Sequence, residues 1–178
     1  MNPWHDICEK RITTEKFVAV TEIEKCTKIK YEIDKETGLL KLDRYLQTST
    51  CYPATYGFIP KTLSEDGDPL DVLVLDNLAV RPMTLIDCAP IGVIEMIDNG
   101  ARDEKIIAVP LYKNSPYAKY KDVTEVPQQM IREISHFLRV YKDLEEDKVV
   151  EIKPTKGRDE AIKVIKEAIA LYKKTFKK

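Results

Sequence analysis

The stretch Ser64-Glu65-Asp66-Gly67-Asp68-Pro69-Leu70-Asp71 runs without a break into Val72-Leu73-Val74-Leu75. Three aspartates thus fall within six residues and end on an apolar strand. The fold must join a crowded acidic loop to a buried strand. Pro69 pushes Asp68 toward extended backbone, and Gly67 admits turns closed to residues with a Cβ. A stiff, bent loop is expected, with carboxylates aimed into one small volume. Two carboxylates about 5 Å apart repel by roughly 3 kcal/mol at an effective dielectric near 20. Either one is protonated or cations sit among them. All-oxygen ligands suit Mg²⁺, Mn²⁺ or Ca²⁺ better than Zn²⁺. The competing reading is a solvated acidic turn. An EF-hand is excluded, because its glycine position would be Asp71 and its terminal glutamate position Asn77. An aspartyl nucleophile would normally follow a strand, whereas here the strand follows the aspartates.

The 178 residues suit one domain, 1–178, with a sizeable core. Lysine and arginine total 29 against 30 acidic residues, for a net charge of −1. This gives no global field for nucleic acid or an anionic membrane. No apolar run approaches a membrane span, and the N-terminus lacks a signal-peptide core. Cys8, Cys26, Cys51 and Cys88 are scattered, and His5 and His136 are the only histidines, which argues against zinc. Reduced cysteines in a cytoplasmic protein are the simplest reading.

Residues 1–16 read as a polar arm with at most a short helix. A strand is expected at Phe17–Ile23. Ile29–Asp34 alternates as a half-buried strand, turns at Lys35–Gly38 and returns over Leu39–Arg44. Alternation puts Lys30, Glu32 and Asp34 on one face, with Arg44 nearby. Tyr52 to Pro60 is bounded by prolines and rich in aromatics, so it reads as an ordered extended segment. Strands are expected at Val72–Leu75, Ile91–Ile97 and Ile106–Val109. Residues Asp98 to Lys105 read as a second acidic turn. Helices are expected at Pro127–Tyr141 and Asp159–Phe176. The first would bury Met130, Ile131, Ile134, Phe137, Leu138 and Tyr141, with His136 beside that face as a packing or interface residue. The second would bury Ala161, Ile162, Ile165, Ala168, Ile169 and Tyr172. Its C-terminal Lys173, Lys174, Lys177 and Lys178 suit the helix dipole and read as solvated. A short strand is expected at Val149–Ile152. Strands early and helices late indicate an α+β domain built on a small antiparallel barrel.

If the two acidic turns face each other, Asp66, Asp68, Asp71, Asp98 and Asp103 line one cavity, with Lys30, Arg44, Lys105 and Lys142 as candidates for its rim. Carboxylates that hold metals, beside cations that hold anionic oxygens, describe a metal-dependent phosphoryl-transfer site. No P-loop or dinucleotide fingerprint is present, so a small polyanion is a better substrate than a nucleotide.

The sequence resembles the Mg²⁺-dependent, barrel-type family of inorganic pyrophosphatases (family I, in its prokaryotic single-domain form). Asp66-Gly67-Asp68-Pro69-Leu70-Asp71-Val72 matches the family signature D-x-D-P-x-D at every fixed position. Asn2 to Asp6, Lys30-Tyr31-Glu32, Asp43-Arg44, Tyr52-Pro53, Tyr56 to Pro60, Asp98 to Lys105 and Tyr141 to Glu145 stand around it in family order. The resemblance implies a five-stranded antiparallel barrel of the oligonucleotide/oligosaccharide-binding type with two flanking C-terminal helices. It implies hydrolysis of pyrophosphate to two phosphates by in-line attack of a metal-bridging water, with three or four Mg²⁺ ions, Mn²⁺ or other divalent ions being possible. Asp66, Asp71, Asp98, Asp103 and Glu32 would hold metal, and Asp68 would be the general base. Lys30, Arg44, Tyr56, Tyr141 and Lys142 would grip the phosphates, with Glu22, Lys105 and Tyr52 in support. Similar prokaryotic proteins form homohexamers. No nucleic-acid or membrane partner is implied.

Three positions depart from the family pattern. The segment Glu24 to Ile29 lacks the usual proline, Thr55 stands where asparagine is common, and Cys8 follows Ile7 where proline is frequent. None removes an expected ligand. Two other readings remain at this stage: a barrel that binds single-stranded nucleic acid, and a phosphohydrolase acting on nucleoside triphosphates or polyphosphate.

Overall fold

The strands are β1 (Phe17–Ile23), β2 (Ile29–Ile33), β3 (Leu40–Tyr45), β4 (Thr55–Phe58), β5 (Asp71–Val74), β6 (Leu85–Asp98), β7 (Ala101–Pro110), β8 (Val150–Ile152) and β9 (Lys156–Gly157). The computed structural model describes residues 1–98, 100–146 and 150–176. Strand β1 pairs with β4, β4 with β5, β5 with β7, β7 with β6, and β6 returns to β1. The five strands close into the expected ring. One pair departs from the antiparallel expectation: β5 and β7 run parallel, with Asp71 opposite Lys105. Strands β8 and β9 extend the sheet along β6, and β2–β3 form a separate two-stranded hairpin.

Helix α1 (Pro3–Asp6), α2 (Gln128–Val140) and α3 (Arg158–Phe176) complete the chain. The two long helices explain why β5 does not alternate. Leu73 points into a cluster with Ile94, Met96 and Ile107 that α2 closes through Ile131, Ile134, Phe137 and Leu138. Val72 and Val74 point the other way, into a cluster with Val93 and Ile106 that α3 closes through Ala161, Val164, Ile165 and Ala168. A strand covered on both faces reads as a continuous apolar run. The close approach of β1 to β4 depends on Gly57, where a Cβ would lie 2.0 Å from the Val20 carbonyl oxygen.

Several expectations need correction. Residues Asp98 to Lys105 are not one long turn. Strand β6 runs through Asp98, β7 begins at Ala101, and the reversal falls at Gly100, with φ +84°. Asn99 lies outside the described residues, as do Val149, Lys177 and Lys178. The expected strand at Ile91–Ile97 belongs to the 14-residue β6. Its register shifts between Pro90 and Gly92, and such an irregularity accommodates a proline within a sheet. On α3, Val164 is buried where Ile162 was expected, and Ile162 and Ile169 are only partly buried, because the packed face is rotated from the assigned stripe. His136 is exposed.

The N-terminal arm is docked rather than free. Asn2 caps α1 by accepting from the Trp4 amide at 3.0 Å. The buried Trp4 donates its ring N–H to the Thr62 carbonyl at 2.8 Å. Of the C-terminal lysines, Lys173 pairs with Glu9 at 2.7 Å. All four cysteines are free. No helix among the described residues is long and apolar enough to cross a membrane.

Candidate active site

The loop before β5 is held by its own backbone. The Ser64 amide donates to the Asp68 carbonyl at 2.7 Å, and the Gly67 amide donates to the Ser64 carbonyl at 3.1 Å. Gly67 sits at φ +87°, as a residue without Cβ can. The Asp66 side chain accepts from the Asp68 amide at 3.0 Å, a local side-chain turn. Leu70 is buried, so Asp71 enters the ring at a fixed point.

A cleft of about 220 Å³ opens beside this loop. It is lined by Asp66, Asp68 and Asp71 from the loop, Asp98 and Asp103 from the β6–β7 hairpin, and Glu22 from β1. Lys30 and Glu32 enter from β2, with Lys35 at the hairpin turn. Lys105 enters from β7, and Tyr52, Tyr56, Tyr141 and Lys142 complete the polar wall. Of the residues expected from sequence, only Arg44 stands outside this lining. It faces Lys30 across the β2–β3 hairpin, but its guanidinium turns to Asp43 at 3.0 Å and Glu145 at 2.9 Å. Tyr141 is both a buried core residue and a cleft residue, its ring stacked 5.1 Å from Phe137.

Lysines are threaded between the carboxylates. Lys105, buried, bonds both Asp71 and Asp103. Lys142 bonds Asp98, Lys35 bonds Asp68, and Lys30 bonds Glu32 while reaching Asp43 at 3.0 Å. Lys35 was not expected at the site. Its pairing with Asp68 has no signal in strand alternation, because it lies on the turn where alternation ends.

Seven carboxylates and four lysines line the cleft. Burial first, and like charge second, show in their titration. Burial, followed by the nearby Asp71, pushes Glu22 up from 4.5 to about 8. Burial also raises Asp66, with Asp68 and Asp71 adding to it. Asp103 is raised by burial against the pull of Lys105. For Lys105 burial acts downward, but Asp71 and Asp103 outweigh it and hold the ammonium well above its ordinary range. Tyr56 is likewise pushed well up by burial and then by Asp71, which keeps a phenolic proton available to donate.

Among the described residues no three carboxylates converge as a ready-made metal cage. The donor set nonetheless fits hard cations. It is entirely oxygen, its carboxylates lie close together in the cleft, and the buried Asp98 Oδ1 lacks a hydrogen-bond partner among the described residues. An anion entering this cleft would meet a net negative wall unless cations accompany it. The volume is below the roughly 300–1,000 Å³ typical of larger ligand pockets, and the wall is mostly charged. Both properties suit a small, highly charged substrate.

A family model described as inorganic pyrophosphatase matches residues 19–173. The chain is 43% identical over 176 residues to soluble inorganic pyrophosphatase 2 of Chlamydomonas reinhardtii, covering 98% of this chain and 90% of that protein. It is 45% identical over 161 residues to the inorganic pyrophosphatase of Aquifex pyrophilus, covering 90% and 91%. A solved structure of the Helicobacter pylori inorganic pyrophosphatase superposes with a TM-score of 0.87 at 40% identity, covering 90% of this chain and 95% of that one. Sequence and fold agree over nearly the whole length, and the chain belongs to the bacterial-type family I of inorganic pyrophosphatases.

Proposed function

We propose that this chain hydrolyses inorganic pyrophosphate to two phosphates with Mg²⁺, and so draws forward biosynthetic reactions that release pyrophosphate. The observation that carries the reading is the cleft itself, where acidic and basic groups alternate within a small volume. Asp66, Asp71 and Asp103 would hold one cation, with Asp71 shared by a second. Asp98 and Asp103 would take another that arrives with substrate, and Glu32 a further one. Mn²⁺ fits the same donors. When bound, such cations acidify water and offset charge gathering on phosphate oxygens.

The chain's own groups do the rest. Asp68, on a loop fixed by backbone hydrogen bonds, accepts a proton from the attacking water. A new P–O bond forms as the bridging P–O bond breaks in line with it, and one phosphate leaves. Lys30, Lys142 and the phenolic groups of Tyr56 and Tyr141 hold the phosphate oxygens. Arg44 joins them by exchanging its carboxylate partners for substrate. Lys105 and Glu22 keep the carboxylates in place, and Tyr52 packs at 5.5 Å against Tyr56 to set its ring. Ring, hairpin and α2 all contribute to one cleft, which supports residues 1–178 acting as one domain. Family membership supports a homohexamer, and four free cysteines support a cytoplasmic setting.

The test is phosphate release from pyrophosphate, ATP and tripolyphosphate, each with Mg²⁺ and with excess chelator. Release from pyrophosphate that the chelator abolishes is expected. Release from ATP but not pyrophosphate would overturn the reading in favour of another phosphohydrolase. No release from any of them would favour a binding module.

A further inference from the structure

Segment Glu24 to Ile29, where the sequence departs from the family pattern, brings two cysteines together. The Cys26 amide donates to the Tyr52 carbonyl at 2.8 Å, and the Tyr52 amide donates to the Thr27 carbonyl at 3.0 Å. These bonds lock the two stretches side by side. Cys51, next to Tyr52 in the chain, is thereby carried alongside Cys26, and both residues are exposed. Cys26 has φ +67°, in the left-handed region that a residue with a Cβ seldom adopts. Its turn is therefore held by these contacts rather than by local preference. Both cysteines line a second cavity of about 500 Å³, together with Tyr117 and His136. Tyr52 and Phe137 wall this cavity on one side and the acidic cleft on the other.

A disulfide needs two sulfurs that can meet without moving the backbone. It also needs access for the oxidant. We propose that Cys26 and Cys51 form a reversible redox-modification site, closed to an intramolecular disulfide by exchange with a small-molecule disulfide. In the first step the Cys26 thiolate attacks the small disulfide. Its S–S bond breaks, a mixed disulfide forms on Cys26 and one small thiolate leaves. In the second step Cys51 loses its proton and attacks the Cys26 sulfur, releasing the second small thiol. Two electrons and two protons pass from the cysteine pair to the oxidant. The other two cysteines supply internal controls. Cys8 is exposed and Cys88 is buried.

The experiment uses the full chain incubated under native conditions with glutathione disulfide. It is then alkylated in denaturant and mapped by peptide mass spectrometry with and without dithiothreitol. The expected product is a Cys26–Cys51 linked peptide lighter by two hydrogens, which dithiothreitol reopens. Cys8 should carry only glutathione, and Cys88 should be recovered alkylated. Cys51→Ser should leave Cys26 carrying a single stable glutathione. Glutathione on both Cys26 and Cys51 without a link, a bond from either to Cys8, or a bond formed only between chains would overturn the proposal. The wild-type mapping decides it even if the variant does not fold. Phosphate release has no part in the readout, so the result stands apart from the proposed activity.

Discussion

Asp68 differs from its two neighbouring aspartates in position, not chemistry. Asp71 is tied to the buried Lys105, and Asp66 closes a local turn. Among the described residues, Asp68 carries the half-exposed Lys35 as its ion-pair partner and no other, so its carboxylate can be released without disturbing the ring. Asp68→Asn is expected to cut turnover by at least about 100-fold, the low end for a lost general base. Equilibrium dialysis with pyrophosphate and Mg²⁺ should show substrate binding changed little. Loss of binding as severe as loss of turnover would make Asp68 a ligand instead of a base. The three aspartates were legible in sequence because they are local to one loop. The Asp71–Lys105 pair could not be paired from sequence, because it exists only through the parallel register of β5 on β7. The missing partner of Thr55 was equally hidden. This buried hydroxyl, at a position where asparagine is common, finds no hydrogen-bond partner among the described residues.

Helix α3 starts from a cap borrowed from a distant segment. Asp122 accepts from the Arg158 amide at 2.8 Å while also accepting from the Thr124 amide at 3.0 Å. The Arg158 bond is the chief reason its carboxyl lies below the usual range. Asp122→Ala should lower stability by about 1–2 kcal/mol, read as a lower urea midpoint at unchanged slope. A group with a depressed folded value contributes above its unfolded value and loses that contribution as pH falls. The gap between wild type and variant should therefore shrink in acid. At this scale, sequence periodicity found both long helices and four of the five ring strands, where apolar spacing is strong; β4 lies within Tyr52 to Pro60, which read only as an extended segment. It misread Asp98 to Lys105, because charged residues on a strand that faces a polar cleft look like a turn. Tyr141 combined two signals: helical spacing marked it as core, and the family motif marked it as site.

The whole molecule carries a stability cost at its centre. Glu22 lies between the ring and the β2–β3 hairpin, accepting from the Ile33 amide at 2.6 Å, with Asp71 and Glu32 as like charges near it. Its folded value of about 8 exceeds the ordinary 4.5, so the folded protein holds a proton that the unfolded chain releases. The contribution of Glu22 to stability is therefore full below pH 4.5 and is lost as pH rises toward 8. Glu22→Gln keeps an oxygen for Ile33 and removes the titration. In chelator, the variant should match wild type near pH 5 and exceed it by roughly 2–4 kcal/mol at pH 8. A constant difference across that range would assign the effect to packing.

Ring closure also sets an order in time. Strands β6 and β7 meet across one tight reversal, whereas Phe17 on β1 must find Cys88 on β6 from the far end of the ring. Local pairings form quickly and distant ones wait on the slower search of a long chain. Asp98 and Asp103 would then be neighbours early in refolding, while Glu22 and the Asp66–Asp71 loop arrive later. Catalytic competence becomes a late event in the life of each newly made chain.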